Sequence, residues 1–153
     1  MSSVRDLLPQ LVPLAAEWAE RVSADGAAAG RELDEAGLRI ARGVGVSRPG
    51  QVRIATPDAM PFPDHPMLRE AAIRTGMLGP TMAGLTLGYT IFVRPGALTV
   101  RLLSHELRHV AQYEAAGSIA AFLSAYLGQV VHFGYGDAPY EVDARHHEIG
   151  GGA

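Results

Sequence analysis

The feature that most limits the possible folds of this 153-residue chain is an alternating segment followed by a long amphipathic helix. In residues 85–93, LTLGYTIFV, every second residue is apolar, which is typical of a half-buried strand with one shared apolar face. Residues 100–116 then show helical spacing, between Thr99, a favoured N-cap, and Gly117, a favoured helix end. The pattern therefore predicts an α+β fold in which a strand precedes this helix.

The predicted helix carries the motif H-E-x-x-H at His105, Glu106 and His109. A helix turns about 100° per residue, so the two histidines lie one turn apart and both imidazoles can reach one ion. Glu106 lies on the same side but is offset, which suits it to reach a water molecule on the metal. The core stripe falls on another sector, formed by Leu103, Leu107, Val110 and Ala111. The motif therefore indicates a metal site; otherwise these are ordinary surface or core histidines.

A catalytic zinc needs three protein ligands and one open position. The chain has no cysteine, and the extension H-E-x-x-H-x-x-G-x-x-H is absent, because Gln112 and Ala115 replace its glycine and its third histidine. The third ligand must therefore come from farther along the chain. The candidates there are Asp137, Glu141, Asp143, His146, His147, Glu148 and, at the end of the preceding helix, His132.

Glu141 is the favoured third ligand. It lies in the first turn of a helix predicted to begin at Pro139, and Ala144 is small enough to let that helix pack closely on the motif helix. The connection between the two predicted helices is of the right kind, a helix over 119–131 followed by a glycine-rich loop that reverses direction. A first-turn acid is also favoured by the helix dipole, so the position alone does not decide. Three alternatives therefore stay open, namely Asp143, His146 and His147.

The rest of the chain predicts one domain, with an N-terminal helical segment over 1–45 and a core over 46–149. Periodicity and turn residues predict the remaining elements as helices over 4–24, 31–42 and 66–76, a turn over 25–30, a strand over 51–55, a loop over 56–66 and a last helix over 139–148.

Composition restricts the partners and the compartment. The chain is 48% hydrophobic and 19% charged, with a net charge of −3 and no run of basic residues. This favours a folded protein and argues against nucleic acid or an anionic membrane as a partner. Asp6, Glu17 and Glu20 interrupt any signal-peptide pattern, and there is no apolar run of about 18 residues. We therefore expect a cytoplasmic protein without disulfides.

The order of segments resembles small zincin-like metallopeptidases of the gluzincin type, with similar arrangements in the ImmA/IrrE group of bacterial peptidases. The resemblance covers about residues 50–149 and is carried by four stretches, GLTLGYTIFV, LLSHELRHVAQY, FLSAYL and GYGDAPYEVDA. It implies that His105, His109 and Glu141 bind Zn²⁺ and that Glu106 is the catalytic base. It also implies a mostly helical zincin-like fold with a small sheet whose edge strand precedes the motif helix.

The same resemblance makes strand 85–93 the rim of a cleft for a peptide or protein substrate. A peptide added to this strand would contact Gly88, Tyr89 and Thr90. Three residues are candidates to support a metal ligand or to donate a hydrogen bond to the oxyanion, namely Tyr135, Tyr140 and His132. The pattern departs from larger gluzincins at Arg145, where an Asp would orient a ligand histidine. A competing hypothesis is a non-catalytic or latent zinc module, closed by His146 or His147 as a fourth ligand.

Overall fold

The computed structural model describes residues 3–79 and 81–150. Within these residues the fold is α+β and mostly helical, with a small mixed sheet, as the sequence predicts. The helices are α1 (Val4–Ala29), α2 (Glu35–Gly43), α3 (Pro66–Thr75), α4 (Val100–Ala116), α5 (Ile119–Phe133) and α6 (Pro139–His146), with a 3₁₀ turn at Pro49–Gln51. The strands are β1 (Arg53–Ala55), β2 (Gly84–Leu87) and β3 (Thr90–Val93).

The sheet has the order β1-β3-β2, with β3 parallel to β1 and antiparallel to β2. The prediction of one strand over 85–93 was therefore wrong, because the segment is a hairpin whose loop is Gly88 and Tyr89. Gly88 has φ 66°, a left-handed conformation that glycine adopts without strain at the first position of a two-residue loop. The strand that precedes α4 is consequently the central strand β3, not an edge strand as predicted.

The hairpin also changes which residues share a face. Leu85 pairs with Phe92, and both belong to the core cluster beneath α1 and α5. Ile91 and Val93 belong to the other cluster, beneath α2 and α4. The predicted common face of residues 85–93 is therefore divided between two cores, and every residue of β3 is buried.

Helix α1 continues through the turn predicted over residues 25–30. A Cβ at Gly26 would lie 2.4 Å from Cζ of Phe92, so this glycine allows the helix to approach β3 and does not mark a turn. Two other predicted elements begin later than expected: α2 begins at Glu35, after its N-cap Asp34, and β1 begins at Arg53, after the 3₁₀ turn. The last helix ends at His146, two residues before the predicted end.

The motif helix has the predicted ends and the predicted core stripe. The hydroxyl of Thr99 accepts a hydrogen bond from the amide of Leu102, and Gly117 closes the helix with φ 95°. The stripe is buried against α2 and consists of Leu103, Leu107, Val110 and Ala111. After α5, helix α6 begins at Pro139 and packs back against α4, which brings its first turn to the motif.

None of the described helices is by itself long and apolar enough to cross a lipid bilayer. Val100–Ala116 and Ile119–Phe133 reach that length and hydropathy only when taken together, and they are bent by 113° at the break between them.

Candidate metal site

Three side chains converge between α4 and α6, namely His105, His109 and Glu141. Their potential ligand atoms all lie within 4.8 Å of one another. Nε2 of His105 is 3.2 Å from Oε1 of Glu141, and Nε2 of His109 is 3.3 Å from Oε2. His109 is 6% exposed and Glu141 is 5% exposed, so the group is shielded from solvent on most sides.

Gln112 fixes the ring of His109. Its amide nitrogen donates to the backbone oxygen of Tyr140 at 2.9 Å and to Oδ2 of Asp143 at 2.8 Å. Because the nitrogen has these two acceptors, the amide oxygen faces Nδ1 of His109, at 2.7 Å, and accepts a hydrogen bond from its N–H. The neutral imidazole therefore directs the lone pair of Nε2 toward Glu141.

Glu148 fixes the ring of His105 in a similar way, through a hydrogen bond at Nδ1. Oε2 of Glu148 is 2.8 Å from Nδ1 of His105, and its other oxygen accepts from Nε of Arg101 at 2.8 Å. A carboxylate accepts only, so Nδ1 carries the proton. The lone pair of Nε2 on this histidine also points toward Glu141.

This donor set requires a positive charge at its centre. Two imidazole lone pairs and a carboxylate are all acceptors, so neutral histidines and an ionised Glu141 would repel one another. Either protons on the imidazoles or a metal ion resolves the conflict. Two histidines and one glutamate form one of the ligand sets that hold catalytic zinc, and ligand histidines commonly donate their other N–H to a carboxylate or a carbonyl oxygen. The residues therefore fit Zn²⁺.

Without a metal, protons take this role. Burial alone would lower the pKa of His105, but the hydrogen bond to Glu141 and the charge of Glu106 raise it to about 9. The pKa of His109 is raised by the same two neighbours against the effect of burial. Burial alone would raise the pKa of Glu141, yet hydrogen bonds from both histidines and from Tyr126 hold it well below its usual range. A metal ion that bound these three side chains would therefore displace protons.

The three side chains line a cleft, called the metal cleft below, and Glu106 lines it too without being one of the three potential ligands. Its side chain is 6% exposed, and Oε1 accepts a hydrogen bond of 2.9 Å from the hydroxyl of Thr86 on β2. A Cβ at Gly84 would lie 3.1 Å from its carboxyl carbon, so the glycine leaves just enough room for the carboxylate. This is a carboxylate held beside the three potential ligands, available for proton transfer.

The other candidate ligands lie elsewhere. Asp143 pairs with Nε of Arg108 at 2.7 Å, and Nδ1 of His147 is 2.8 Å from the backbone oxygen of Asp143. Glu148 contacts His105 but through Nδ1, the nitrogen that faces away from Glu141. The exposed candidates are His132, Asp137 and His146. Among the described residues, Glu141 is the candidate that joins the two motif histidines.

Of the three proposed oxyanion donors, Tyr135 lines the cleft with Glu106 and Glu141. Although Tyr135 is 40% exposed, its partial burial and, less strongly, the charges of these two carboxylates raise its pKa to about 12, so its phenol keeps the proton with which it can donate a hydrogen bond. Tyr140 instead stacks on Phe122, with ring centroids 4.8 Å apart. His132 is exposed at the end of α5, and neither His132 nor Tyr140 lines this cleft.

The proposed substrate contacts at Gly88, Tyr89 and Thr90 do not lie at the cleft. Gly88 and Tyr89 form the hairpin loop, and all three line a different cavity. The hydroxyl of Tyr89 donates to Glu114 at 2.7 Å. The part of the hairpin that lines the metal cleft is the beginning of β2, at Gly84, Leu85 and Thr86.

Sequence reasoning missed three residues that hold the site: Gln112, Tyr126 and Thr86. Gln112 follows His109 by three positions on one helix, a spacing that places the two side chains side by side. Their contact could therefore have been predicted from the sequence. Tyr126, which lies on α5, donates a hydrogen bond of 2.7 Å to Oε2 of Glu141, a long-range contact without a local sequence pattern.

Arg145 donates to the backbone oxygen of Gly136 and does not orient a histidine.

Comparisons of the chain with protein-family models, with curated proteins and with solved structures find no match. The resemblance to gluzincin-type metallopeptidases therefore stays a prediction. Its support is the geometry of His105, Glu106, His109 and Glu141.

Proposed function

We propose that this protein is a zinc-dependent peptidase, in which His105, His109 and Glu141 hold Zn²⁺ and Glu106 is the general base. The observation that carries the proposal is the fixed orientation of both imidazoles. Each has its Nδ1 proton committed to an acceptor and its Nε2 within 3.3 Å of one buried carboxylate. A second carboxylate, Glu106, stands in the same cleft, where a purely structural zinc would not need it.

When bound, the zinc supplies Lewis acidity that activates a water molecule and polarises the scissile carbonyl. The carboxylate of Glu106 takes the proton of the attacking water and delivers it to the leaving amine nitrogen. Thr86 holds Oε1 of Glu106 by a hydrogen bond of 2.9 Å, which keeps the carboxylate aligned during both transfers. The phenol of Tyr135 donates to the oxyanion that forms at the attacked carbonyl.

A peptide substrate lies extended along β2. Within the described part of the chain, this strand has a neighbour in the sheet on one side only, since β3 is central. Edge strands bind extended peptides through their backbone. Gly84, Leu85 and Thr86 line the metal cleft, so a peptide paired with them passes beside Glu106.

The competing function is a zinc module without turnover. Structural zinc sites are closed by a fourth protein ligand, whereas catalytic sites keep that position open. Among the described residues the group has three members, and the two predicted closing residues are not among them. His146 is exposed, and His147 contacts the backbone of Asp143. These contacts favour the catalytic function.

Glu106→Gln tests the proposal, because it removes the base while keeping shape and all three ligands. We expect about one zinc per chain by elemental mass spectrometry, as in the wild type, and cleavage of a peptide mixture reduced roughly 100-fold or more. Glu17→Gln is the matched control, since Glu17 is exposed on α1. Cleavage by the variant at the wild-type rate excludes Glu106 as the base, and a zinc-loaded wild type without cleavage leaves the zinc module.

A further inference from the structure

An apolar cavity adjoins the metal cleft. Its walls come from α1, α3, β2, α4 and α5, and its volume is about 100 Å³. Trp18 on α1 and Ala71 on α3 are among its lining residues. The residues that line both the cavity and the metal cleft are Met77, Leu78, Leu85 and Thr86. The two spaces are therefore neighbours that share one wall.

The cavity offers almost nothing to a polar ligand. Three hydroxyl groups border it, and each already donates a hydrogen bond within the protein: Tyr113 to the backbone of Thr86 at 3.2 Å, Thr75 to the backbone of Ala71 at 2.7 Å, and Thr86 to Glu106. A charged or amide side chain placed here would lose its water without gaining a partner. An aliphatic group would be transferred from water into a dry, apolar site, which is favourable.

The volume limits the size of that group. An apolar cavity of about 150 Å³ holds one benzene molecule, so about 100 Å³ holds roughly four carbon atoms. That is the side chain of leucine or isoleucine. A phenylalanine ring or a long acyl chain exceeds it.

We propose that this cavity binds a leucine-sized aliphatic side chain of the substrate, next to the bond that is cleaved. The inference rests on the proposed peptidase function and adds its substrate preference. Leu85 belongs to the edge strand on which the peptide lies, and it lines both the cavity and the metal cleft. Each buried methylene group strengthens binding about fourfold, so leucine binds at least tenfold more tightly than alanine.

Trp18 makes binding measurable without turnover, because it is the single tryptophan of the chain and lines the cavity. Zinc-loaded Glu106→Gln protein is titrated with N-acetyl-leucinamide, N-acetyl-alaninamide and N-acetyl-phenylalaninamide while Trp18 fluorescence is followed. We expect a saturable change with the leucine compound at a concentration at least tenfold lower than with the other two. Equal responses to all three compounds overturn the inference.

Two substitutions change the volume in opposite directions. Ala71→Leu fills the cavity and should abolish the response to the leucine compound, whereas Ala28→Leu, on an exposed position of α1, should leave it unchanged. Leu8→Ala enlarges the cavity from a half-buried position and should admit the phenylalanine compound, which tests the site even if Ala71→Leu does not fold. Probe preferences that stay as in the parent protein in the folded variants show that this cavity is not the binding site.

The cleavage pattern separates this inference from the proposed function. Wild-type protein is incubated with a mixed peptide library and the new termini are identified by mass spectrometry. We expect leucine and isoleucine to be enriched at one position beside the cut. Cleavage without aliphatic preference overturns the inference and leaves the peptidase. Saturable binding of the leucine compound without any cleavage overturns the peptidase and supports an aliphatic site.

Discussion

Gln112 determines which nitrogen of His109 can bind a metal. Its amide group is held at both donors, by the backbone of Tyr140 and by Asp143, so its oxygen cannot turn away from the imidazole. Asp143 in turn is held by Arg108. The orientation of one ligand therefore depends on a chain of polar contacts that extends across α4 and α6.

Gln112→Leu should weaken zinc binding by roughly 10- to 100-fold, because the Nδ1 proton of His109 loses its acceptor and the ring loses its fixed tautomer. Competition with a chromogenic chelator measures the affinity. Gln10→Leu, on an exposed position of α1, is the control. An unchanged affinity in Gln112→Leu would show that packing alone orients the ring.

The stability of the metal-free protein should depend on pH through His105. Its folded pKa is about 9 against an ordinary value of 6.5, since Glu141 and Glu106 outweigh burial. A raised pKa stabilises the fold fully below about pH 6.5, and this contribution is lost as the pH rises through about 9. We expect the melting temperature in the presence of a chelator to fall across that window, and to fall less in His105→Asn. A steeper fall in the variant contradicts this assignment.

At the scale of residues, the geometry of one helix made the motif predictable. The residues that hold the motif in place were not predictable, because they are distant from it in the sequence. His105, Glu106 and His109 share one helical face whatever surrounds the helix. Tyr126 and Thr86 reach the site from α5 and β2, and their contacts depend on tertiary packing that no short pattern records. Glu141 lay between these cases, since only the need for a third ligand distinguished it from an ordinary first-turn acid.

The packing of α1 on β3 depends on the absence of a side chain at one position. A Cβ at Gly26 would meet Phe92 at 2.4 Å and Thr90 at 2.9 Å. Both are buried residues of the central strand, and Phe92 reaches into the cluster that also contains Phe122 and Tyr126 beside the metal site. The position of α1 is therefore connected to the site through the sheet.

Gly26→Ala should destabilise the fold by about 1–3 kcal/mol, the usual cost of forcing an extra group into a packed core. Chemical denaturation measures the free energy of unfolding. Gly43→Ala provides the comparison, because a Cβ at Gly43 meets nothing within 4 Å at the end of α2. The two variants should differ in sign or by more than 1 kcal/mol, and equal stabilities would refute the close contact.

At the scale of elements, the sequence predicted where α4 and α6 begin, but it misplaced the end of α1, the beginning of α2 and the boundaries of the hairpin strands. Capping is local chemistry, so Thr99 and Pro139 marked the beginnings of their helices correctly. The alternation of residues 85–93 continues unbroken through the hairpin loop, because Gly88 and Tyr89 preserve the apolar-polar rhythm while the chain reverses. In α1, the sequence suggested a turn at Gly26. Periodicity cannot distinguish a glycine that is required for a positive φ from one that is required because a side chain would clash with a neighbouring element.

Several polar contacts join α4 and the segment that contains α6 around the site. Besides the group of three, Arg108 pairs with Asp143, and the residues after α6 are tied back to α4 by Arg101–Glu148 and by the amide of Ile149 on Ser104. Glu141 and Glu148, which orients His105, thus both come from the short segment formed by α6 and the residues that follow it. A bound metal would cross-link α4 and α6.

Zinc should therefore stabilise the whole molecule. An ion that binds only the folded chain adds about 2.7 kcal/mol at a free concentration 100 times its dissociation constant. We expect the melting temperature to rise with added zinc and to fall again with chelator. Hydrogen exchange should slow most in α4 and α6 and least in α2. A chain with all three ligands intact that shows no zinc-dependent shift would count against the site.

The separation of the site along the chain has a consequence for its biosynthesis. Glu141 and Glu148 follow His105 by 36 and 43 residues. A ribosome therefore adds His105 and His109 to the chain well before it adds Glu141, whose carboxylate lies between them. A nascent chain that has reached α5 carries a helix with two unfixed imidazoles and no third ligand. The proposed activity therefore requires α6 to be synthesised and packed against α4, because Glu141 lies on α6.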